Sequence, residues 1–209
     1  MQLPQVKICG LTRATDVRHA VAAGADALGF VHHAPSPRHV ERARLIELLA
    51  DAPAHLWTVL VLVDSTPEAA LDLCAVTGAG CVQLCGSEDV ALWRDCPLPI
   101  LRRIPVDDDG RAQLERWQGV ACGFVLDHPI GPGGSGRTVS PELAAELAAA
   151  APCLLAGGLD PDNVGRRIEA VRPRGVDASS RLECAPGEKD HARVERFIQT
   201  ARRAFAITA

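Results

Sequence analysis

The sequence alternates between short apolar runs and longer amphipathic stretches along its whole length. Each of eight apolar runs is followed by a stretch with the periodicity of a surface helix. The runs are QVKIC, DALGFV, WTVLVLV, CVQLC, PILRRI, CGFVLD, PCLLAGG and GVDASS. Alternating strands and helices favour right-handed βαβ units and a parallel sheet. Eight such units predict an α/β fold, a closed (β/α)8 TIM barrel.

The alternative architecture is an open doubly wound sheet. Its usual G-x-G-x-x-G turn after the first strand is missing here. No Ser/Gly/Pro-rich linker divides the chain, so residues 1–209 are predicted to form a single barrel domain.

Start and stop signals support the predicted helices. The residues at predicted N-caps are Thr15, Thr66, Ser140 and Asp160, and the last three are followed by proline. The glycines predicted to end helices are Gly24, Gly78 and Gly119.

Composition disfavours several classes of protein. The formal net charge of -4 argues against nucleic acid or an anionic membrane as the main partner. No apolar run approaches the roughly 20 residues that span a bilayer, and no signal peptide is visible. Because no secretory signal is visible, the 8 cysteines are expected to be reduced thiols in the cytoplasm. They include no C-x-x-C pair, so a zinc site is not favoured.

In a barrel of this kind, functional residues lie where the strands end. Cys9 ends the first run and Asp127 ends the sixth, so they form an acid–base pair from opposite sides of the barrel. A thiol at a polar mouth can have a lowered pKa and act as a base, whereas a carboxyl group beside apolar neighbours can have a raised pKa and act as an acid. The alternative for a strand cysteine is an inert buried side chain, and Lys7 can equally be a buried charge paired with an acid.

The last two strand ends predict a phosphate site. Gly157 and Gly158 allow backbone N–H groups to approach an anion, and Ser179 and Ser180 add two hydroxyl groups in the neighbouring loop. The alternative is that the two glycines only permit a tight turn. Arg38, after the SP turn, can hold a carboxylate or phosphate bidentately or can be a solvated surface residue. The glycine-rich segment GPGGSGR after Asp127 is either a lid or a surface loop.

Several segments together resemble the phosphoribosylanthranilate isomerase family of tryptophan biosynthesis. They are VKICGLT, DALGFV, SPRHV, VQLCGSED, FVLDHPIGPGGSGR, LLAGGLDPDNV and GVDASSRLECAPGEKD, and they cover nearly the whole chain in the family's order. The K-I-C-G-[LI]-T opening and the ending V-D-x-S-S-x-x-E-x-x-P-G-x-K-D are specific to that family.

The resemblance implies an aldose–ketose isomerase that needs no cofactor and no metal. It implies Cys9 as general base, Asp127 as general acid and Arg38 as the ligand of the substrate's anthranilate carboxylate. Asp177 would orient the substrate, and the substrate's phosphate would be held by Gly157, Gly158, Ser179 and Ser180. The partner is then a small phosphoribosyl molecule, and the chain is expected to be a monomer or a weak homodimer.

Two strand ends depart from the family pattern. Cys85 stands where the family usually has the histidine of L-H-G, and Arg181 stands where it usually has the glycine of S-S-G. Cys85, Arg181 and Lys7 are further possible site residues. Because the two departures could alter the site, two alternatives stay open. One is a diverged isomerase of another N-phosphoribosyl aromatic amine, and the other is a non-catalytic sugar-phosphate binder. A Schiff-base aldolase is disfavoured, because neither Lys7 nor Lys189 ends the sixth strand.

Overall fold

Eight parallel strands close into a barrel in a computed structural model, which describes residues 2–50, 52–129 and 139–208. Each strand pairs with the next one along the chain, and the eighth pairs with the first. The strands are β1 (Val6–Ile8), β2 (Ala27–Val31), β3 (Trp57–Leu62), β4 (Cys81–Leu84), β5 (Ile100–Pro105), β6 (Gly123–Asp127), β7 (Cys153–Leu155) and β8 (Gly175–Ala178). The predicted (β/α)8 barrel is confirmed, and the open sheet is excluded because the sheet is closed.

A helix follows each strand. The helices are α1 (Ala14–Ala22), α2 (Arg42–Ala50), α3 (Pro67–Thr77), α4 (Val90–Trp93), α5 (Gly110–Trp117), α6 (Pro141–Ala150), α7 (Val164–Val171) and α8 (His191–Thr208). Within the described ranges, no helix has the length and apolar character needed to cross a bilayer.

Local capping chemistry fixes several helix ends as predicted. The Thr66 and Ser140 hydroxyl groups accept hydrogen bonds from the backbone three residues further on, so both are N-caps. The three glycines that were predicted to end helices have φ values of 94° (Gly24), 75° (Gly78) and 80° (Gly119). This left-handed conformation is easy for glycine and costly for other residues, which explains why glycine stands there.

The two other predicted N-caps are wrong. Helix α1 begins at Ala14, so Thr15 lies inside it. Helix α7 begins at Val164, and the Asp160 carboxylate instead accepts hydrogen bonds from the amides of Asp162 and Asn163 in the preceding turn. Both residues are of a type that can cap a helix, and both lie near a helix start. The first helical residue, however, is one position before Thr15 in α1 and four positions after Asp160 in α7.

Apolar side chains fill the floor of the barrel. Most of them come from alternating positions of the strands, as the two-residue repeat of a strand requires, whereas Leu3 precedes β1 and Ala156 follows β7. They are Leu3, Val59, Cys81, Leu101, Val125, Leu154 and Ala156. Above them a second small apolar cluster joins Cys9, Val61 and Cys85 near the carboxyl ends of the strands. Side chains therefore fill the floor of the barrel interior, and the cavity lies at the carboxyl ends of the strands.

A short antiparallel hairpin follows β8 and was not predicted. A 3₁₀ turn, Ser180–Leu182, leads into β9 (Glu183–Ala185) and β10 (Glu188–Lys189). The hairpin is anchored to the first βα loop, since the Thr12 hydroxyl donates a 2.6 Å hydrogen bond to the Gly187 carbonyl. Strands of two or three residues are too short to produce a periodic signal in the sequence.

Candidate active site

One cavity at the carboxyl ends of the strands collects the predicted site residues. All of them except Lys7 line it, namely Cys9, Arg38, Cys85, Asp127, Gly157, Gly158, Asp177, Ser179, Ser180 and Arg181. They come from several different strands or the loops after them, so closure of the barrel brings them together.

Two glycines make room for side chains at the cavity, Gly29 for Cys9 and Gly10 for Arg38 and Ser179. A Cβ atom on Gly29 of β2 would lie 2.7 Å from the Cys9 Sγ atom and 3.1 Å from the Lys7 Nζ atom. Gly10 has a φ of 74°, and a Cβ atom there would lie 2.6 Å from the Arg38 Cδ atom and 2.7 Å from the Ser179 Oγ atom. The glycine after Cys9 is thus required both by the backbone angle and by the side chains that cross it.

Lys7 lies beneath the cavity and is paired with Asp177. The two residues are in register on the neighbouring strands β1 and β8, and the Lys7 Nζ atom lies 2.8 Å from Asp177 Oδ2. Lys7 is fully buried, so it is the paired interior charge that the sequence allowed. The buried Asp177 Oδ1 atom has no hydrogen-bond partner among the described residues, which leaves an acceptor at the cavity wall.

Burial raises the pKa of the Cys9 thiol, and the neighbouring Lys7 charge opposes this effect without reversing it. The lowered pKa of Cys9 suggested by the sequence is therefore wrong. The reason is that Cys9 is only 8% exposed, so the cost of burying a thiolate exceeds the attraction of one ammonium group.

Burial also raises the pKa of Asp127, as the sequence predicted for an acid. A hydrogen bond of 2.7 Å from the His128 amide and the charge of Arg103, 3.8 Å away, work in the opposite direction. The net upward shift means that Asp127 keeps its proton to a higher pH than an exposed aspartate does.

The loops after β7 and β8 form the predicted phosphate end of the cavity. Gly157 and Gly158 have φ values of 81° and 63°. Among the described residues, neither glycine amide donates a hydrogen bond within the protein. Two successive left-handed residues turn neighbouring N–H groups toward the same side, an arrangement that suits an anion.

Arg181 does not strain the backbone where it replaces the family's glycine. It lies exposed in the 3₁₀ turn and lines the cavity. In the described part of the chain, the non-glycine residues with positive φ are Asp64 and Arg172. An arginine at position 181 is therefore compatible with the conformation of this loop.

Arg38 lines the cavity and is held by a partner that sequence reasoning missed. Its guanidinium group donates to both carboxylate oxygens of Glu183, at 2.9 and 2.7 Å. Arg38 is thus fixed in the site and is not the solvated surface residue that the sequence also allowed. The signal for Glu183 was present in the sequence, because it is the glutamate of the V-D-x-S-S-x-x-E motif.

Gln83 is a second cavity residue that sequence reasoning missed. It lies on the inward face of β4, and its Nε2 atom contacts the Cys85 sulfur at 3.5 Å. In the described part of the chain its Oε1 atom is buried without a hydrogen-bond partner. The two-residue spacing of Cys81, Gln83 and Cys85 could have identified it, since alternate strand residues face the same side.

The GPGGSGR segment, a candidate lid, lies outside the described residues. All eight cysteines are free thiols. Within the described ranges, no group of three or more His, Cys, Asp and Glu side chains is arranged to hold a metal ion.

Comparison with known proteins decides the family. A family model described as N-(5'phosphoribosyl)anthranilate (PRA) isomerase matches residues 6–200. The chain belongs to the phosphoribosylanthranilate isomerase family. A curated family member from Geobacter sulfurreducens is 40% identical, with 95% of this chain and 98% of that protein covered. Another, from Chromohalobacter salexigens, is 41% identical over 95% of this chain and 94% of that protein.

Solved structures of the family agree with the fold. The isomerase of Thermotoga maritima superposes with a TM-score of 0.88 at 30% identity, covering 96% of this chain and all of that one. A phosphoribosyl anthranilate isomerase in complex with reduced 1-(o-carboxyphenylamino)-1-deoxyribulose 5-phosphate superposes with a TM-score of 0.85, with the same identity and coverage. The shared barrel explains why the family motifs of this chain converge on one cavity.

Proposed function

We infer that this chain is the phosphoribosylanthranilate isomerase of tryptophan biosynthesis. It would convert N-(5-phosphoribosyl)anthranilate to 1-(2-carboxyphenylamino)-1-deoxyribulose 5-phosphate by an Amadori rearrangement. The observation that carries this inference is the meeting of Cys9 and Asp127 in one cavity, in a chain whose residues 6–200 match the family.

The rearrangement needs an acid and a base on different sides of the sugar. Opening the furanose ring requires a proton on the ring oxygen, which Asp127 would supply, since burial raises its pKa and favours its protonated form. Formation of the enol amine requires loss of the proton on C2, which the Cys9 thiolate would accept. The Lys7 ammonium beside Cys9 lowers the cost of that thiolate. These transfers involve side chains alone, so the proposed reaction uses no cofactor.

The remaining cavity residues suit the two charged ends of the substrate. Arg38 would bind the aromatic carboxylate. The phosphate would lie against the amides of Gly157 and Gly158 and the hydroxyl groups of Ser179 and Ser180. The unpartnered Oδ1 atom of Asp177 would accept a hydrogen bond from a sugar hydroxyl and orient the ribose.

A fluorescence assay that follows loss of freshly made phosphoribosylanthranilate tests this proposal directly. We expect turnover by the purified protein and rescue of a tryptophan auxotroph that lacks the isomerase. Folded protein without turnover would contradict the proposal.

The alternative of a diverged isomerase rests on Cys85 and Arg181, which both line the cavity and both depart from the family pattern. It predicts slow turnover of phosphoribosylanthranilate, no rescue of the auxotroph, and faster turnover of another N-phosphoribosyl aromatic amine. A non-catalytic sugar-phosphate binder would have little need of the acid–base pair that the cavity contains. The monomer or weak homodimer and the cytoplasmic location stay predictions.

A further inference from the structure

Three largely buried charged residues form a chain that runs from the cavity wall to the β9–β10 hairpin behind it. Glu183 accepts two hydrogen bonds from Arg38, and its Oε1 atom also accepts one from the Lys189 Nζ atom at 2.7 Å. The side chains of Arg38, Glu183 and Lys189 are 12%, 4% and 1% exposed. This Arg38–Glu183–Lys189 triad is thus largely shielded from water, where charge interactions are stronger than at a surface.

Within the triad, Arg38 lines the cavity, whereas Glu183 and Lys189 stand behind it on the β9–β10 hairpin. Glu183 and Lys189 are paired in register on the two strands of that hairpin. The Lys189 Nζ atom also donates to the Ser179 carbonyl at 3.2 Å, which links the triad to the proposed phosphate loop. Any effect of these two residues on a ligand therefore passes through Arg38 or through this loop.

The net charge of the triad depends on Lys189. Arg38 and Glu183 alone would be neutral, and a neutral pair offers little net attraction to a carboxylate. Burial alone would raise the pKa of Glu183, but the hydrogen bonds from Arg38 and the charge of Lys189 lower it overall, so Glu183 stays ionised. With Lys189 protonated, the triad has a net charge of +1.

The orientation of the Arg38 guanidinium group depends on Glu183. The guanidinium group has five N–H donors in a plane, and Glu183 occupies one on Nε and one on Nη2. A two-point contact fixes the orientation of that plane, whereas a single contact would let it rotate. Among the described residues, the Nη1 donors have no hydrogen-bond partner, so they remain for a ligand of this cavity residue.

We propose that Glu183 and Lys189 are positioning residues, in which Glu183 fixes the Arg38 guanidinium plane and Lys189 supplies the net positive charge that binds the substrate's aromatic carboxylate. The proposal rests on the proposed function, because it assumes that the ligand of Arg38 is this carboxylate.

The test is equilibrium binding of two stable analogues by calorimetry. One is the reduced 1-(o-carboxyphenylamino)-1-deoxyribulose 5-phosphate, and the other is its phenylamino counterpart without the carboxyl group. For Lys189→Met we expect at least about tenfold weaker binding of the carboxylated analogue and unchanged binding of the other, because only the first needs the lost charge. Unchanged binding of the second analogue also shows that the variant is folded.

Glu183→Gln separates orientation from charge. It raises the net charge of the triad to +2, so a purely electrostatic role would strengthen binding of the carboxylated analogue. We expect weaker binding, because the second hydrogen bond that fixes the guanidinium plane is impaired. Stronger binding would overturn the positioning role of Glu183.

Arg193→Met is the matched control. Arg193 donates to the Glu183 backbone carbonyl at 3.1 Å and is half exposed, so the variant removes a nearby cation without touching the triad carboxylate. We expect less than a twofold change for either analogue. If Lys189→Met does not fold, Lys189→Gln replaces it, because the amide can still donate to Glu183.

Other outcomes are also decisive. Equal weakening of both analogues by Lys189→Met, or no weakening of either, would overturn the positioning role. Wild-type protein that binds neither analogue would contradict the proposed function itself. Wild-type protein that binds both analogues equally would contradict the carboxylate as the ligand of Arg38, and with it this proposal.

Discussion

At the scale of single residues, burial favours the neutral form of both proposed reacting groups, with opposite consequences for the proposed catalysis. It favours the neutral form of Asp127, which helps an acid, and the neutral form of Cys9, which hinders a base. The charge of Lys7 partly offsets the effect of burial on the Cys9 pKa. The proposed mechanism thus relies on a cation beneath the thiol, Lys7, that does not itself line the cavity.

Cys9→Ser is expected to lower kcat by a factor on the order of 10²–10⁴, because a serine hydroxyl is not ionised near neutral pH. Steady-state kinetics and circular dichroism measure the effect and the fold. Cys122→Ser is the matched control, since Cys122 is an exposed thiol, and it is expected to keep full activity. A Cys9→Ser rate above about a tenth of the wild-type rate would show that Cys9 is not the base.

Asp127→Asn is expected to abolish most activity without lowering thermal stability at pH 7. The folded pKa of Asp127 lies above its unfolded value, so its favourable contribution to stability is present at low pH and is lost as pH rises through the folded pKa. Because the asparagine side chain of the variant does not ionise, the variant avoids this loss of stability at pH 7. Activity assays together with thermal unfolding measure both effects, and a lower Tm would mean that the carboxylate is stabilised in the fold.

Arg181→Gly is expected to leave kcat/KM within about tenfold, or under ~1.4 kcal/mol of transition-state stabilisation. Arg181 is exposed, and its backbone is not in the left-handed region that would require glycine. Steady-state kinetics decides the point. A much larger loss would make the arginine part of the phosphate site, and a large gain would favour the diverged isomerase.

At the scale of elements, the turn after β1 determines how the first strand, the second βα loop and the eighth loop meet. Gly10 has positive φ and lies against Arg38 and Ser179. Gly78, at the end of α3, has nearly the same φ, but a Cβ atom added there would have no neighbour within 4 Å. The two glycines therefore differ in their surroundings and not in their backbone angle.

Gly78→Ala is expected to cost about 1–2 kcal/mol of stability, from the backbone angle alone, and to leave activity unchanged. Gly10→Ala is expected to cost more stability and to lower kcat/KM by a factor on the order of 10², since it displaces Arg38 and Ser179 from the cavity. Urea unfolding and steady-state kinetics on the pair separate these effects. Equal behaviour of the two variants would show that the contacts at Gly10 do not matter.

At the scale of the whole molecule, buried thiols link stability to alkaline pH. Burial raises the pKa of Cys85 and of Cys153 from 9.0 to about 12. Both groups therefore contribute stability that is fully present below pH 9.0 and is lost as pH rises toward 12. The chain has no tyrosine and only two lysines, so the titration in this range comes mainly from thiols, including Cys74 and Cys81, whose pKa values burial also raises.

The free energy of unfolding is expected to fall above pH 9 by up to about 1.4 kcal/mol per pH unit for each of these thiols. Urea unfolding between pH 8 and 10.5, under reducing conditions, measures the slope. Cys153→Ala should reduce this slope by the contribution of one thiol, up to about 1.4 kcal/mol per pH unit. A stability that does not change over this range would contradict the raised thiol pKa values.

The sequence by itself determined the barrel and most of the cavity. Strand and helix periods, the caps Thr66 and Ser140 and the glycine stops are local signals, and they agree with one another along the chain. Because all parallel strands of a barrel present their carboxyl ends at one face, residues at strand ends, such as Cys9 and Asp127, could be assigned to one site without knowing any distance.

Only the tertiary structure decided what those residues touch. Arg38 and Glu183 are 145 positions apart, and no local pattern links a residue to a partner at that separation. The direction of the Cys9 pKa shift likewise depends on how deeply the thiol is buried and on Lys7 beneath it. Burial and charge pairing are properties of the packed barrel, so their balance appears only when the strands have closed.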